Sequence, residues 1–265
     1  MQLPIYQVDA FTDILFGGNY AAVVPLADWL PAELMQAVAA ENNLSETAFV
    51  VRQADGGYAI RWFSPLAEID FCGHATLAAA FVLFRLNPDV PVLRFRAAAV
   101  GELSLSREDD GLIHMDAPRL APEPVAEPPA LLFDGLSIRP DAVLVSRQAW
   151  FAVYADEGQV RAVEQDPELI RQLAPRDVVV TAPGHDVDFV SRYFWPANGG
   201  LEDMVTGSIH AGLAPYWAER LGRNELKALQ ASTRGGVLYC KVEAERVRIS
   251  GYAVLYLEGC IHVPD

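Results

Sequence analysis

Two short segments set a glycine before a polar residue at the start of an Ala-rich stretch: Gly73-His74 and Gly207-Ser208. If helices begin there, their first-turn N–H groups have no intrahelical partner and carry partial positive charge. Glycine lets a ligand come close to that backbone, so such a terminus suits an anion, and a carboxylate is the simplest candidate. Two carboxyl groups lie nearby in the chain. Asp203 stands four residues before Gly207, and Glu46 stands in Asn43-Leu44-Ser45-Glu46-Thr47-Ala48-Phe49. The bland reading of Glu46 is a solvated charge or a capping partner of Asn43. Its apolar flank (Leu44, Ala48, Phe49, Val50, Val51) favours burial, which raises a carboxyl pKa toward values useful in acid–base catalysis. Cys72 directly precedes the first helix start, where a thiol pKa is expected to fall. At the matching place in the second segment stands Thr206, so two thiols facing one carbon are not available.

Positioning these groups calls for a repeated frame. Tyr58-Ala-Ile-Arg61-Trp62-Phe63-Ser-Pro65 resembles Phe189-Val-Ser-Arg192-Tyr193-Phe194-Trp-Pro196, and Gly111-Leu-Ile-His114 resembles Gly259-Cys-Ile-His262. Between the halves, Pro118, Pro122, Pro124, Pro128 and Pro129 remove backbone donors and disfavour helix, as expected of an extended connector. The expected organisation is a lobe over 1–117, a linker over 118–130 and a second lobe over 131–265. Strands are predicted over Ile5–Phe11, Ala21–Pro25, Thr47–Arg52 and Tyr58–Phe63, with Asp28 capping a helix from about Pro31 to Glu41. The stretch His74–Leu86 is apolar on nearly every face, which predicts a buried helix, and Ser208–Leu221 is its counterpart. Further strands are predicted over Phe189–Phe194, Val237–Val242 and Val247–Leu257, with a helix opening at Asp166-Pro167-Glu168. The fold class is therefore α+β, with two similar lobes from an internal duplication, each a mixed sheet about one central helix.

Composition narrows the function. The chain has 265 residues, is 52% hydrophobic and carries a formal charge of −15 with no Lys/Arg cluster. Nucleic acid and anionic membrane surfaces are poor partners for such a chain. Three cysteines with no CxxC spacing fit a reduced, cytoplasmic setting. No signal peptide is visible, and the longest apolar run, Ala75–Phe84, is about half of a bilayer span. The five histidines show no HExxH spacing, and GxxxxGK[ST], GxSxG and GxGxxG are absent.

Gln7-Val8-Asp9-Ala10-Phe11-Thr12, Gly18-Asn19, Asn43 to Phe49, Phe71-Cys72-Gly73-His74-Ala75-Thr76, Glu202 to His210 and Arg234-Gly235-Gly236 together resemble the phenazine-biosynthesis (PhzF-like) isomerase family. These motifs run almost the whole length of the chain. The resemblance implies a diaminopimelate-epimerase-like fold with the active site between the lobes. It also implies a proton shuttle at Glu46 acting on a small carboxylate, with His74 and Asp203 assisting. Substrate binding falls to Ser45, Gly73, His74, Gly207 and Ser208, with no metal and no organic cofactor. Family members are commonly homodimers, so a homodimer is the expected assembly. Tyr20 and Met204 stand where the family usually has proline.

Three readings remain open at this stage. The first is a cofactor-independent isomerase moving a proton on a small carboxylate. The second is a racemase or epimerase using Glu46 with Asp203 or Cys72. The third is a ligand-binding or scaffold protein that keeps the site without turnover. Solvent deuterium exchange into trial substrates separates them: exchange with retained stereochemistry, exchange with inversion, and binding without exchange.

Overall fold

The computed structural model describes residues 1–264, and the chain divides into two units. One comprises Met1–Asp116 together with the chain from Ser250 onward, and the other is Ala117–Ile249. This corrects the expected boundaries: the second lobe ends before Ser250, and the Pro-rich stretch belongs to it rather than lying between two bodies.

The first unit begins with strands β1 (Gln2–Ala10) and β2 (Asn19–Leu26), helix α1 (Ala32–Asn42), then β3 (Glu46–Arg52), β4 (Tyr58–Phe63) and the short β5 (Glu68–Ile69). Helix α2 (Gly73–Leu86) and strands β6 (Val92–Ala97), β7 (Gly101–Arg107) and β8 (Ile113–Pro118) follow. Strands β1 and β2 pair antiparallel, β2 and β3 parallel, β3 and β4 antiparallel. Strands β4 and β6 run parallel, and β6–β7 and β7–β8 antiparallel. The chain's final strand, Ala253–His262, adds to the outer side of β1. Strand β2 and β3 are nearly continuous apolar runs because both faces of the sheet are covered there. On one face α1 sets Met35, Val38 and Ala39 against Phe49, Val51 and Phe63. On the other lies α2, which packs against β1, β2 and β3. Its Ala75, Leu77, Ala78, Ala79, Ala80, Val82, Leu83 and Phe84 are all buried, as its all-round apolar sequence predicts. Asp28 does not cap α1: the residue before the helix is Pro31, whose fixed φ suits a helix start without a side-chain cap.

The second unit repeats this plan. It contains β9 (Glu123–Pro124), α3 (Ala130–Asp134), β10 (Ala142–Val145), β11 (Ala149–Val153), α4 (Glu157–Ala162), α5 (Pro167–Ile170), β12 (Asp177–Pro183), β13 (Phe189–Phe194) and β14 (Glu202–Asp203). Helix α6 (His210–Leu221) and strands β15 (Glu225–Gln230), β16 (Gly236–Val242) and β17 (Arg246–Gly251) complete it, the final strand above being β18. Strands β11 and β12 are parallel, β12 and β13 antiparallel, β13 and β14 antiparallel, β13 and β15 parallel, β15 and β16 antiparallel. That is the pattern of β2 to β7, pair for pair, so the fold is the duplicated α+β frame expected. One part of the proposed repeat is accidental. Gly259-Cys-Ile-His262 lies in β18, whereas β17 stands where β8 stands in the first repeat. The expected single strand Val247–Leu257 is two strands, broken at Tyr252.

Helix α6 carries Pro215 in its interior. Proline has no N–H to give the carbonyl four residues back, here that of Ala211. Leu120, in the Pro-rich stretch, donates its N–H to that carbonyl at 3.0 Å. Gly212 makes room for the crossing, because a Cβ there would lie 3.0 Å from the Leu120 carbonyl oxygen and 2.9 Å from Phe151 Cζ. The Pro-rich segment is therefore strapped to the helix by a bond that only a broken helical ladder can accept.

Candidate active site

In the first unit the chain brings four of the expected residues to one end of the β2–β3 pair. Glu46 opens β3, opposite Ala21 of β2, while Cys72 and His74 occupy the N-cap and second position of α2. All three are buried, at 6%, 7% and 5% exposure. His74 Nε2 lies 2.8 Å from Glu46 Oε2. Oε2 nevertheless accepts no well-directed hydrogen bond, so it keeps lone-pair capacity inside a buried site. Asn19, at the start of β2, places Nδ2 3.1 Å from His74 Nδ1 and accepts from Ser45 Oγ through Oδ1 at 2.9 Å. With that amide orientation Nδ1 is an acceptor and the ring proton sits on Nε2, facing Glu46. Turning the amide would let Oδ1 accept a hydrogen bond from Nδ1–H and so support an imidazolium.

Burial opposes a charge on His74, yet its neighbours Cys72 and Glu46 more than offset this and hold its pKa well above 6.5. Of these two, the Glu46 carboxylate is the cause that matters near neutral pH, because the Cys72 thiol is protonated there. Burial, aided by the Glu46 charge, pushes that thiol up to about 11. The helix start was expected to lower it. The reason for the reversal is that desolvation of a fully enclosed thiolate outweighs a terminus worth about 1 kcal/mol. The first turn of α2 receives no side-chain cap, so its N–H groups stay oriented for an anion.

The second unit holds Asp203, Gly207 and Ser208. Asp203 forms β14 with Glu202, and its Oδ2 accepts from Thr206 Oγ1 at 2.5 Å. Gln230, fully buried on β15, fastens this turn. Its Nε2 donates to the Asp203 carbonyl at 3.0 Å and its Oε1 accepts from the Thr206 N–H at 2.8 Å. Met204, in the usual place of a proline, accepts from Ser232 Oγ through its carbonyl at 2.6 Å. Residues Gly207–Ile209 form tight turns, and α6 itself starts two residues later than expected, at His210.

Sequence reasoning missed the polar chain beneath Ser208. Tyr193 donates to Asp177 Oδ2 at 2.7 Å, and Gln148 Nε2 donates both to Tyr193 Oη at 3.1 Å and to Ser208 Oγ at 2.9 Å. Asp177 opens β12 opposite Ala149, as Glu46 opens β3 opposite Ala21, so it is the second repeat's counterpart of Glu46. Burial raises its carboxyl pKa against the opposing bonds from Tyr193 and Asn198. The signal was present in the repeat itself. Glu46 precedes Trp62 by the same sixteen residues that separate Asp177 from Tyr193.

Comparison with known proteins now decides the family. The sequence pattern of the phenazine biosynthesis-like (PhzC-PhzF) proteins matches residues 8–259. The chain belongs to that family. An uncharacterised isomerase of Pseudomonas aeruginosa is 51% identical over 99% of this chain and 100% of its own length. The crystal structure of a PhzF-family protein of Enterococcus faecalis superposes with a TM-score of 0.94 at 42% identity, covering 99% of this chain and 100% of that one. A hydroxyproline epimerase of Agrobacterium vitis, at 12% identity and a TM-score of 0.59 over 100% of this chain and 93% of its own, shares the fold. This PhzF-like protein is thus an isomerase with a diaminopimelate-epimerase-like fold. Among the described residues no helix is long and apolar enough to cross a membrane.

Proposed function

We propose that this PhzF-like isomerase catalyses a cofactor-independent proton transfer on a small carboxylate-bearing molecule, with Glu46 as the shuttling base. The observation that carries the reading is the buried Glu46–His74 pair, whose Oε2 sits 2.8 Å from the imidazole, accepts no well-directed hydrogen bond and so keeps lone-pair capacity. Such an oxygen can take a proton from a substrate carbon while the bond's electron pair moves into the adjacent unsaturated system. Returning the proton to a different atom of that system completes an isomerisation with no net gain or loss of electrons. His74 stabilises the carboxylate, Asn19 and Ser45 orient the ring, and the uncapped first turn of α2 at Gly73 and His74 holds the substrate carboxylate. On the family pattern Asp203, Gly207 and Ser208 serve the same reaction as assisting and binding groups. The fully buried Gln230 and the half-buried Thr206 hold Asp203 in place.

An epimerase reading by two thiols finds little support. Cys72 is held protonated, and the second position is Thr206, whose hydroxyl already donates to Asp203. The test is incubation of small aromatic and amino-acid carboxylates with the protein in deuterium oxide, followed by mass and chiral analysis. Deuterium entering without inversion, and lost in Glu46→Gln, supports the proposal. Inversion at carbon would replace it by epimerisation.

A further inference from the structure

Glu46, Cys72 and His74 offer a carboxylate oxygen, a thiol sulfur and an imidazole nitrogen, all within 4.8 Å of one another. The Cys72 sulfur is 3.8 Å from His74 Nε2, and Glu46 Oε2 is 2.8 Å from it. Around a tetrahedral zinc the corresponding ligand–ligand spacings are roughly 3.4–3.6 Å, given metal bonds of about 2.0–2.3 Å. The two spacings to His74 are thus within about 1 Å of a metal-ready arrangement, and the Glu46–Cys72 spacing is at most 4.8 Å. Glu46 Oε2 is buried and accepts no well-directed hydrogen bond, so it keeps lone-pair capacity for a cation. Among the described residues this is the one group of three such ligands.

We propose that this trio binds a single thiophilic divalent cation of the zinc class, and that the ion inhibits the enzyme by occupying Glu46 and His74. The donor set selects the ion. Sulfur and imidazole favour zinc or cobalt(II), while magnesium and calcium, which require oxygen ligands, are excluded. On binding, the S–H bond of Cys72 and the Nε2–H bond of His74 break, the thiol proton passes to solvent and the ring proton relocates to Nδ1, and the freed sulfur and Nε2 electron pairs enter the metal bonds. His74 then binds through Nε2, and Asn19, 3.1 Å from Nδ1, supports the ring once its amide turns so that Oδ1 accepts from Nδ1–H, the outer-shell bond that imidazole ligands usually make. Three protein ligands leave a fourth position for water or for a carboxylate. Metal binding does not depend on Glu46 being the catalytic base, so the two proposals can fail separately.

The probe is cobalt(II), titrated into the full chain carrying Cys260→Ser, which removes the exposed thiol. The expected result is one equivalent bound, with thiolate-to-cobalt charge-transfer absorption in the near ultraviolet and tetrahedral ligand-field bands, both erased by zinc. Cys72→Ala should abolish the charge-transfer band, and Glu46→Gln and His74→Ala should each weaken binding by at least about tenfold. Should Cys72→Ala fail to fold by circular dichroism, Cys72→Ser serves in its place. Ligand-field bands without charge transfer, a spectrum unchanged by Cys72 substitution, or no binding at all would each overturn the site. Inhibition is read separately, as zinc-sensitive deuterium exchange restored by a chelator. Zinc bound with exchange unaffected would overturn the inhibitory role.

Discussion

Glu46 is exchangeable for glutamine in size and shape but not in basicity, which makes it the sharpest residue-scale test. Glu46→Gln should lower turnover by about 10²–10⁴ while leaving ligand binding within a few-fold. Asp203→Asn should cost less, since Asp203 is assigned to assist rather than to carry the proton. Near wild-type kcat in Glu46→Gln would remove the shuttle. Cys72 supplies a second test. With its thiol at about 11, iodoacetamide near neutral pH should label the exposed Cys260 and spare Cys72 and the buried Cys240, as read by peptide mass spectrometry. Prompt labelling of Cys72 would show a thiolate that the buried environment should suppress. The individual groups Glu46, His74 and Asp203 were legible because they sit in motifs. Asn19 stood in the Gly18-Asn19 motif without a role, and Gln148 and Gln230 were not legible at all, because they reach their partners across long stretches of chain, of which neighbouring residue types carry no trace.

At the scale of single elements, α6 combines a buried titratable ring with an interrupted hydrogen-bond ladder. His210 is wholly buried in its first turn, with Nδ1 2.9 Å from the Thr206 carbonyl oxygen. Burial lowers its pKa to about 4 against an ordinary 6.5. The unfolded chain therefore takes up a proton between these values and the folded chain does not. The stability due to the neutral ring is complete above pH 6.5 and falls as pH drops toward 4, by about 3 kcal/mol in all. Urea unfolding at pH 7, 6 and 5 should trace that slope, and His210→Gln should flatten it. A slope unchanged by the substitution would assign the acid sensitivity elsewhere. Two residues further on, Gly212→Ala would press a methyl against Phe151 and the Leu120 carbonyl, and overpacking of this kind costs about 1–3 kcal/mol. Unaltered stability there would mean that the Pro-rich strap shifts freely. Periodicity made α2 and the strands of the first unit visible in advance. The late start of α6, where tight turns over Gly207–Ile209 replace the first helical turn, and the break at Tyr252, whose carbonyl accepts from the distant Thr12 N–H, were not.

For the whole molecule the decisive feature is the origin of the first unit, whose β1 pairs with β2 on one side and with β18 on the other. Removing residues from Ala253 onward should strip β1 of a ladder running from Gln2↔His262 to Ala10↔Ala253, leaving a long unpaired edge. Light scattering and limited proteolysis should then report aggregation and cleavage within residues 1–116 before cleavage within 117–249. Equal resistance of both regions would mean that β18 contributes little. The duplication was legible from Arg61-Trp62-Phe63 against Arg192-Tyr193-Phe194, but the destination of the last strand was not, because a strand's partner is not written in its own residues. That destination matters on the ribosome. Translation delivers β1 first and its outer partner last, after every residue of the second unit has left the exit tunnel. Through that whole interval the nascent chain carries one vacant sheet edge, which makes the seconds of synthesis, rather than the finished protein, the period of greatest exposure to chaperones and to mispairing with neighbouring chains.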